Sequence, residues 1–151
     1  MTGHPTSNNN QTDPNKSIRI LQINLNKSEK AHLEIINEKV SHKYDIMLIQ
    51  EPYTTSFNAI RMPANFRPVY PENRTQDDAQ IRSVIWVNKS LDSKDWTILN
   101  IPDTSDISAI QLKGPYENWP YLTSTTTAGT PITKTRSGDT SGEILTHYLD
   151  R

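Results

Sequence analysis

The chain contains no cysteine. That excludes disulfides and thiolate metal sites, and it is compatible with a reducing compartment. Excess positive charge is also missing: 16 Lys and Arg stand against 17 Asp and Glu, for a net charge of -1. A phosphate-binding face normally announces itself by surplus Lys and Arg, so the chain as a whole carries no electrostatic footprint for nucleic acid. Long hydrophobic runs are absent too. The longest, Ile46 to Ile49, is far too short to span a bilayer or serve as a signal peptide. The expectation is an intracellular protein with no membrane partner. With 151 residues and 33% hydrophobic content, there is room for one domain with a modest core. Ten prolines and a mean hydropathy of -0.71 place part of the chain outside that core.

The parts expected to lie outside are the two ends. Residues 1–16 (MTGHPTSNNNQTDPNK) hold almost no apolar side chain and are rich in Asn, Thr and Pro. Burial cannot offset the entropy of ordering them, so they are predicted to form a disordered leader. From Ser17 the character changes. Ile18, Ile20, Leu21 and Ile23 form a β-branched run ending in Asn24-Leu25-Asn26, a mostly buried strand with a polar exit. Ser28 can cap a following helix, with Leu33, Ile36 and Val40 on one face and an end near His42 or Lys43. Tyr44 to Glu51 is a continuous apolar run stopped by Pro52, as in a central strand covered on both faces. Together these make a strand, helix, strand unit and an α/β fold class.

Tyr53 to Gln80, with prolines at 63, 68 and 71 and little periodicity, reads as a long connection with room for a short helix or turn. Arg82 to Val87, Trp96 to Ile101 and Ile107 to Leu112 are three further strands. Short polar turns separate them, predicting an antiparallel meander. Past Gly114-Pro115-Tyr116 the pattern dies, and residues 117–151 are expected to be unstructured.

Functional groups in open sheets collect just beyond the carboxyl ends of the strands, which singles out Asn24 and Glu51. A carboxylate behind a dry apolar run suits magnesium, which takes oxygen ligands and keeps several waters. A neighbouring amide can orient a phosphate or a metal-bound water. On spacing alone the plainer alternatives stand beside this. A lone Glu before Pro is more often a solvated turn residue, and Asn commonly ends strands for turn reasons. Trp86 and Trp96 are read as packing residues before base-stacking ones. Asp77-Asp78 reads as a solvated loop. Arg61, Arg67, Arg74 and Arg82 are scattered among acids, and His4, His32 and His42 lack ligand spacing, so none of these is assigned.

The segment IRILQINLNKSEKAHLEII, followed by YDIMLIQEPY, resembles the opening of the endonuclease domain of LINE-like, non-LTR retrotransposons, a reverse-transcriptase-associated branch of the endonuclease/exonuclease/phosphatase superfamily. IRSVIWVNKSL and ISAIQLKGPY resemble its next strands, so the likeness covers about residues 18 to 116, within a domain placed at 17–116. It implies a four-layer α/β sandwich, of which this chain holds a truncated part. It implies a magnesium-dependent, phosphodiester-hydrolysing endonuclease acting on nuclear DNA, with Asn24 and Glu51 at catalytic positions and Glu51 as a magnesium ligand. The resemblance also calls for GDFN-type and SDH-type segments further on. None appears after Tyr116, and the context of His147 does not match. The chain is therefore expected to lack catalysis; the alternative is a non-enzymatic nucleic-acid- or protein-binding module keeping half the fold.

The tail points to a reason. Read one base earlier, the codons of Leu122 to Thr130 (LTSTTTAGT) can encode FNIYNDCGH, a string the family nearly has at this place. In the same frame Lys134 to Ile144 can give EDTLRRYLRRN, with the look of the helix that follows. The expectation is a frameshift between Tyr116 and Trp119.

Overall fold

A computed structural model describes residue 3 and residues 18–37, 40–73, 80–113, 121–125 and 144–148. The first strand, β1, spans Ile20–Asn24 and the helix α1 spans Glu29–Asn37. Ser28 caps α1 as its sequence position predicts: its Oγ accepts the Ala31 N–H at 3.2 Å and its carbonyl accepts the His32 N–H at 3.1 Å. α1 stops short of the expected end, and Val40–Lys43 forms a separate 3-10 turn. Val40 still packs on the core below α1. The apolar spacing thus survives while the hydrogen-bond pattern tightens.

The second strand, β2 (Ile46–Gln50), runs parallel to β1 in register Ile20 to Ile46 and Asn24 to Gln50, completing the strand, helix, strand unit. Next come β3 (Phe66–Val69) and β4 (Ser83–Asn88), which is antiparallel to both β3 and β2. A 3-10 turn at Ser93–Asp95 leads into β5 (Trp96–Leu99) and β6 (Ile107–Leu112). Two more strands, β7 (Tyr121–Thr125) and β8 (Ile144–Tyr148), follow. The strands sort into one mixed sheet, in the order β3-β4-β2-β1-β8, and one antiparallel sheet, β5-β6-β7. The fold is thus mixed α/β with two sheets and few helices.

Alternation in the central strands builds two cores. On one face of the five-stranded sheet, Ile20, Ile46, Leu48, Ile85 and Val87 meet Ile110 and Leu112 of β6, with Trp96 against them. On the other, Leu21, Ile23, Met47, Ile49, Val84 and Trp86 meet Ile35 of α1 and Phe66. Helix, sheet and sheet are the three layers present among the described residues. Fully buried Trp86 and half-buried Trp96 are packing residues, as expected. No helix among the described residues is long and apolar enough to cross a membrane.

Three sequence expectations are corrected. The Tyr53 to Gln80 connection contains a strand, β3, despite Pro68; β3 lies at the sheet edge, where a proline costs no ladder on the open side. The three later strands are not one meander: β4 joins β2 and β3, and the chain then crosses to the second sheet. In the tail, Tyr121–Thr125 and Ile144–Tyr148 are strands, both rich in β-branched and aromatic residues that suit a pleated surface. The rest of 117–151, and the leader 1–16 apart from Gly3, fall outside the described residues.

Two polar contacts fix the ends of this stack. At the start of β1 and β2, the Arg19 backbone N–H donates to Asp45 Oδ2 at 2.8 Å, and its guanidinium donates to both oxygens at 3.3 Å. The hydrogen bond to Asp45, and then its charge, push the Arg19 pKa above the ordinary value. At the opposite end the buried hydroxyls of Ser83 and Ser108 meet at 3.1 Å, and Ser108 donates to the Ser83 carbonyl at 3.2 Å, tying β4 to β6.

Candidate functional site

Because β1 and β2 are parallel, their carboxyl ends open on one rim, and Asn24 pairs directly with Gln50 there. The chain leaves β1 through a tight turn. Asn24 Oδ1 accepts the Asn26 N–H at 2.8 Å, the turn-forming role an Asn at a strand end favours. Asn26 and Lys27 both adopt left-handed backbone, with φ of 47° and 57°. This swings the Lys27 N–H onto the Glu51 carbonyl at 2.8 Å.

Glu51 is left-handed as well, with φ of 45°. Its N–H donates to the Arg82 carbonyl at 2.8 Å, so its backbone bridges the β1 exit and the entry to β4. A left-handed non-glycine residue costs of order 1–2 kcal/mol and persists only where its surroundings impose it. Here the two backbone hydrogen bonds, to Lys27 and Arg82, hold it. The strain turns the carboxylate off the strand line and onto the rim.

The side chains there form a chain of alternating charge. Arg82 Nη2 donates to Glu51 Oε1 at 3.1 Å, and Lys27 Nζ lies 3.8 Å from Glu51 Oε2. Arg82 Nη1 is 3.6 Å from Asp106 Oδ1, and Lys27 Nζ donates to Gln80 Oε1 at 3.1 Å. The Glu51 side chain is 15% exposed, against 43% for Arg82 and 50% for Lys27, so the cations form the outer surface and the carboxylate the floor. Sequence reasoning placed Asn24 and Glu51 here but assigned no role to Lys27, Arg82 or Asp106. Arg82 and Asp106 each immediately precede a strand, but nothing local in the sequence marks those strand starts as lying beside Glu51.

The donor set does not fit a self-sufficient magnesium site. Among the described residues, no group of three or more His, Cys, Asp or Glu gathers where one ion could be held. Glu51 brings one carboxylate, and both of its oxygens face cations of the chain itself. Asp77 and Asp78 lie outside the described residues.

The histidines divide. His32 is buried on α1, its Nε2–H donating to the Arg61 carbonyl at 2.7 Å and its ring edge-on to Trp86 at 5.6 Å. Burial lowers its pKa below the ordinary 6.5, against the opposing pull of the Arg61 carbonyl. It is a core residue. His42 is exposed at the end of the 3-10 turn. His147 sits in register with Ile23 on β8. His4 lies outside the described residues.

No protein-family profile matches the chain, and no curated protein matches it. Among solved structures, it is similar to the endonuclease domain of TRAS1, a telomere-specific non-LTR retrotransposon, at 26% identity over 72% of this chain, with a TM-score of 0.47. The match covers 43% of that domain, so the chain spans less than half of its length.

Proposed function

We propose that residues 17–116 are the front part of a DNA-nicking domain of the endonuclease/exonuclease/phosphatase kind, related to those of non-LTR retrotransposons, and that this chain alone does not cleave DNA. One observation carries the reading: Asn24 and Glu51, singled out in sequence, lie together on the rim at the carboxyl ends of adjacent parallel strands, behind fully buried apolar runs. That is where open α/β sheets bind and process ligands. On this reading Glu51 stands at a magnesium-ligand position, DNA is the partner, and the working compartment is that of nuclear DNA.

The same geometry supports the reading that this chain does not cleave. A phosphodiester-hydrolysing metal centre needs an ion held in fixed coordination and a group to activate water. Among the described residues the rim carries two carboxylates, Glu51 and Asp106, both already engaged by Arg82, with Lys27 also on Glu51. A second reading, a nucleic-acid-binding module without chemistry, is favoured by those two half-exposed cations.

The test is conversion of supercoiled plasmid to open circle in millimolar magnesium, with binding to the same DNA followed by gel shift at low salt. The expected result is binding without nicking, the wild type matching Glu51→Gln in the nicking arm. Glu51-dependent nicking would overturn the inactivity. Failure to bind DNA at low salt would sink the nucleic-acid reading itself.

A further inference from the structure

We propose that Phe57 is a stacking platform for a nucleic-acid base, so that the ligand of this rim is a strand carrying an unstacked base whose neighbouring phosphates lie on Lys27 and Arg82. The inference rests on the nucleic-acid reading above and adds to it a contact that recognises bases.

Phe57 is 91% exposed; among the described residues the only other exposed large hydrophobic is Ile98, at 50%. A single exposed apolar side chain is ordinary in itself. Its mounting is what distinguishes this one. The loop closes on itself: the Thr55 N–H donates to the Ala59 carbonyl and the Asn58 N–H to the Thr55 carbonyl, both at 2.9 Å. The Ala59 N–H reaches Thr55 Oγ1 at 3.3 Å, and Asn58 takes the left-handed conformation, with φ of 53°. The ring therefore stands on a backbone that is already ordered, and binding need not meet that entropy cost again.

The loop also stands in the right place. It leaves the sheet directly after Glu51 and Pro52, and Asn58 Oδ1 accepts the Ile81 N–H at 3.5 Å. Ile81 lies between Gln80, bound to Lys27, and Arg82, bound to Glu51. The aromatic tip and the two half-exposed cations thus share one rim.

The chemistry favours a nucleic acid over a protein. A stable protein interface buries about 800 Å² on each side around a clustered apolar centre. Phe57 stands among Thr55, Ser56 and Asn58, a polar surround that offers no such centre. Base stacking needs one accessible ring face with cations beside it for the phosphates.

The experiment measures fluorescence anisotropy at low salt with the full chain. One probe is a single-stranded oligoadenylate; the other is an abasic oligonucleotide of the same length, which keeps the phosphates and removes the bases. Wild type is expected to bind the base-bearing strand roughly five- to a hundredfold more tightly than the abasic one. Phe57→Ala should erase that ratio while leaving abasic affinity unchanged, and Phe57→Trp should restore it. Because the side chain is in solvent, neither substitution disturbs the core. Equal base discrimination in wild type and Phe57→Ala overturns this inference alone. Binding of neither probe overturns it together with the nucleic-acid reading.

Discussion

His32 makes stability depend on pH, with a sign fixed by its surroundings. The ring is 1% exposed, its Nε2–H is committed to the Arg61 carbonyl, and Nδ1 has no hydrogen-bond partner among the described residues. A second proton would place a charge in the core and create an Nδ1–H with nothing to accept it. The folded-state pKa is accordingly depressed below 6.5, whereas the unfolded chain titrates near that ordinary value. Between the two, the unfolded state holds a proton that the folded state lacks. The stabilisation is therefore fully present above the unfolded value and is lost as pH falls through the depressed folded one. One proton limits the slope to about 1.4 kcal/mol per pH unit. Urea unfolding of wild type and His32→Gln across about pH 5.5 to 7.5 measures it, the span being chosen around the ordinary His value. Glutamine keeps a donor for Arg61 but does not titrate. The wild type should lose stability on acidification with a slope up to that limit steeper than the variant's. Parallel slopes would show that His32 does not titrate differently on folding, and would refute the burial argument.

Other outcomes follow from contacts already described. Ser28→Ala removes the α1 cap and should cost about 1 kcal/mol of unfolding free energy in the same urea assay; no loss would mean α1 has another N-terminal anchor. Arg82→Gln uncovers Glu51 Oε1, so manganese binding followed by electron paramagnetic resonance should strengthen relative to wild type. That gain should vanish in Arg82→Gln combined with Glu51→Gln; a wild type that binds as well as Arg82→Gln would show that the ion pair does not compete with metal. Sequencing the transcript across the codons for Tyr116 to Thr130 should show the alternate frame reading FNIYNDCGH and running on to GDFN and SDH strings. A closed or unrelated frame would make the tail native protein sequence.

What was legible in the sequence were features controlled by local pattern. The apolar run of β2, the periodicity of α1 and the Ser28 cap depend on neighbours within a few residues, and each lies where the pattern put it, apart from the early end of α1. Partner choice was harder to read. The continuous run Val84 to Val87 marked a strand covered on both faces, a better sign of a central place beside β2 than short turns were of a meander. β3 stayed hidden because Arg67 and Pro68 break the alternation, a tolerance peculiar to an edge. At the site, Asn24 and Glu51 were accessible as strand-end polar residues. Lys27, Arg82 and Asp106 were not, since their roles arise only when three separate strand termini are brought together and Glu51 takes a left-handed turn that Pro52 alone does not require.

The parallel pairing of β1 with β8 sets an order of assembly. β1 meets β2 a short helix later, but its other neighbour lies more than a hundred residues further along the chain. Contacts so distant in sequence slow folding, because the loop must be closed before they contribute. During synthesis β1 therefore carries one bare edge until the chain has been made as far as β8. An open edge of apolar, β-branched residues is a template for pairing with other chains. Yield of soluble protein should thus depend on how quickly β8 arrives.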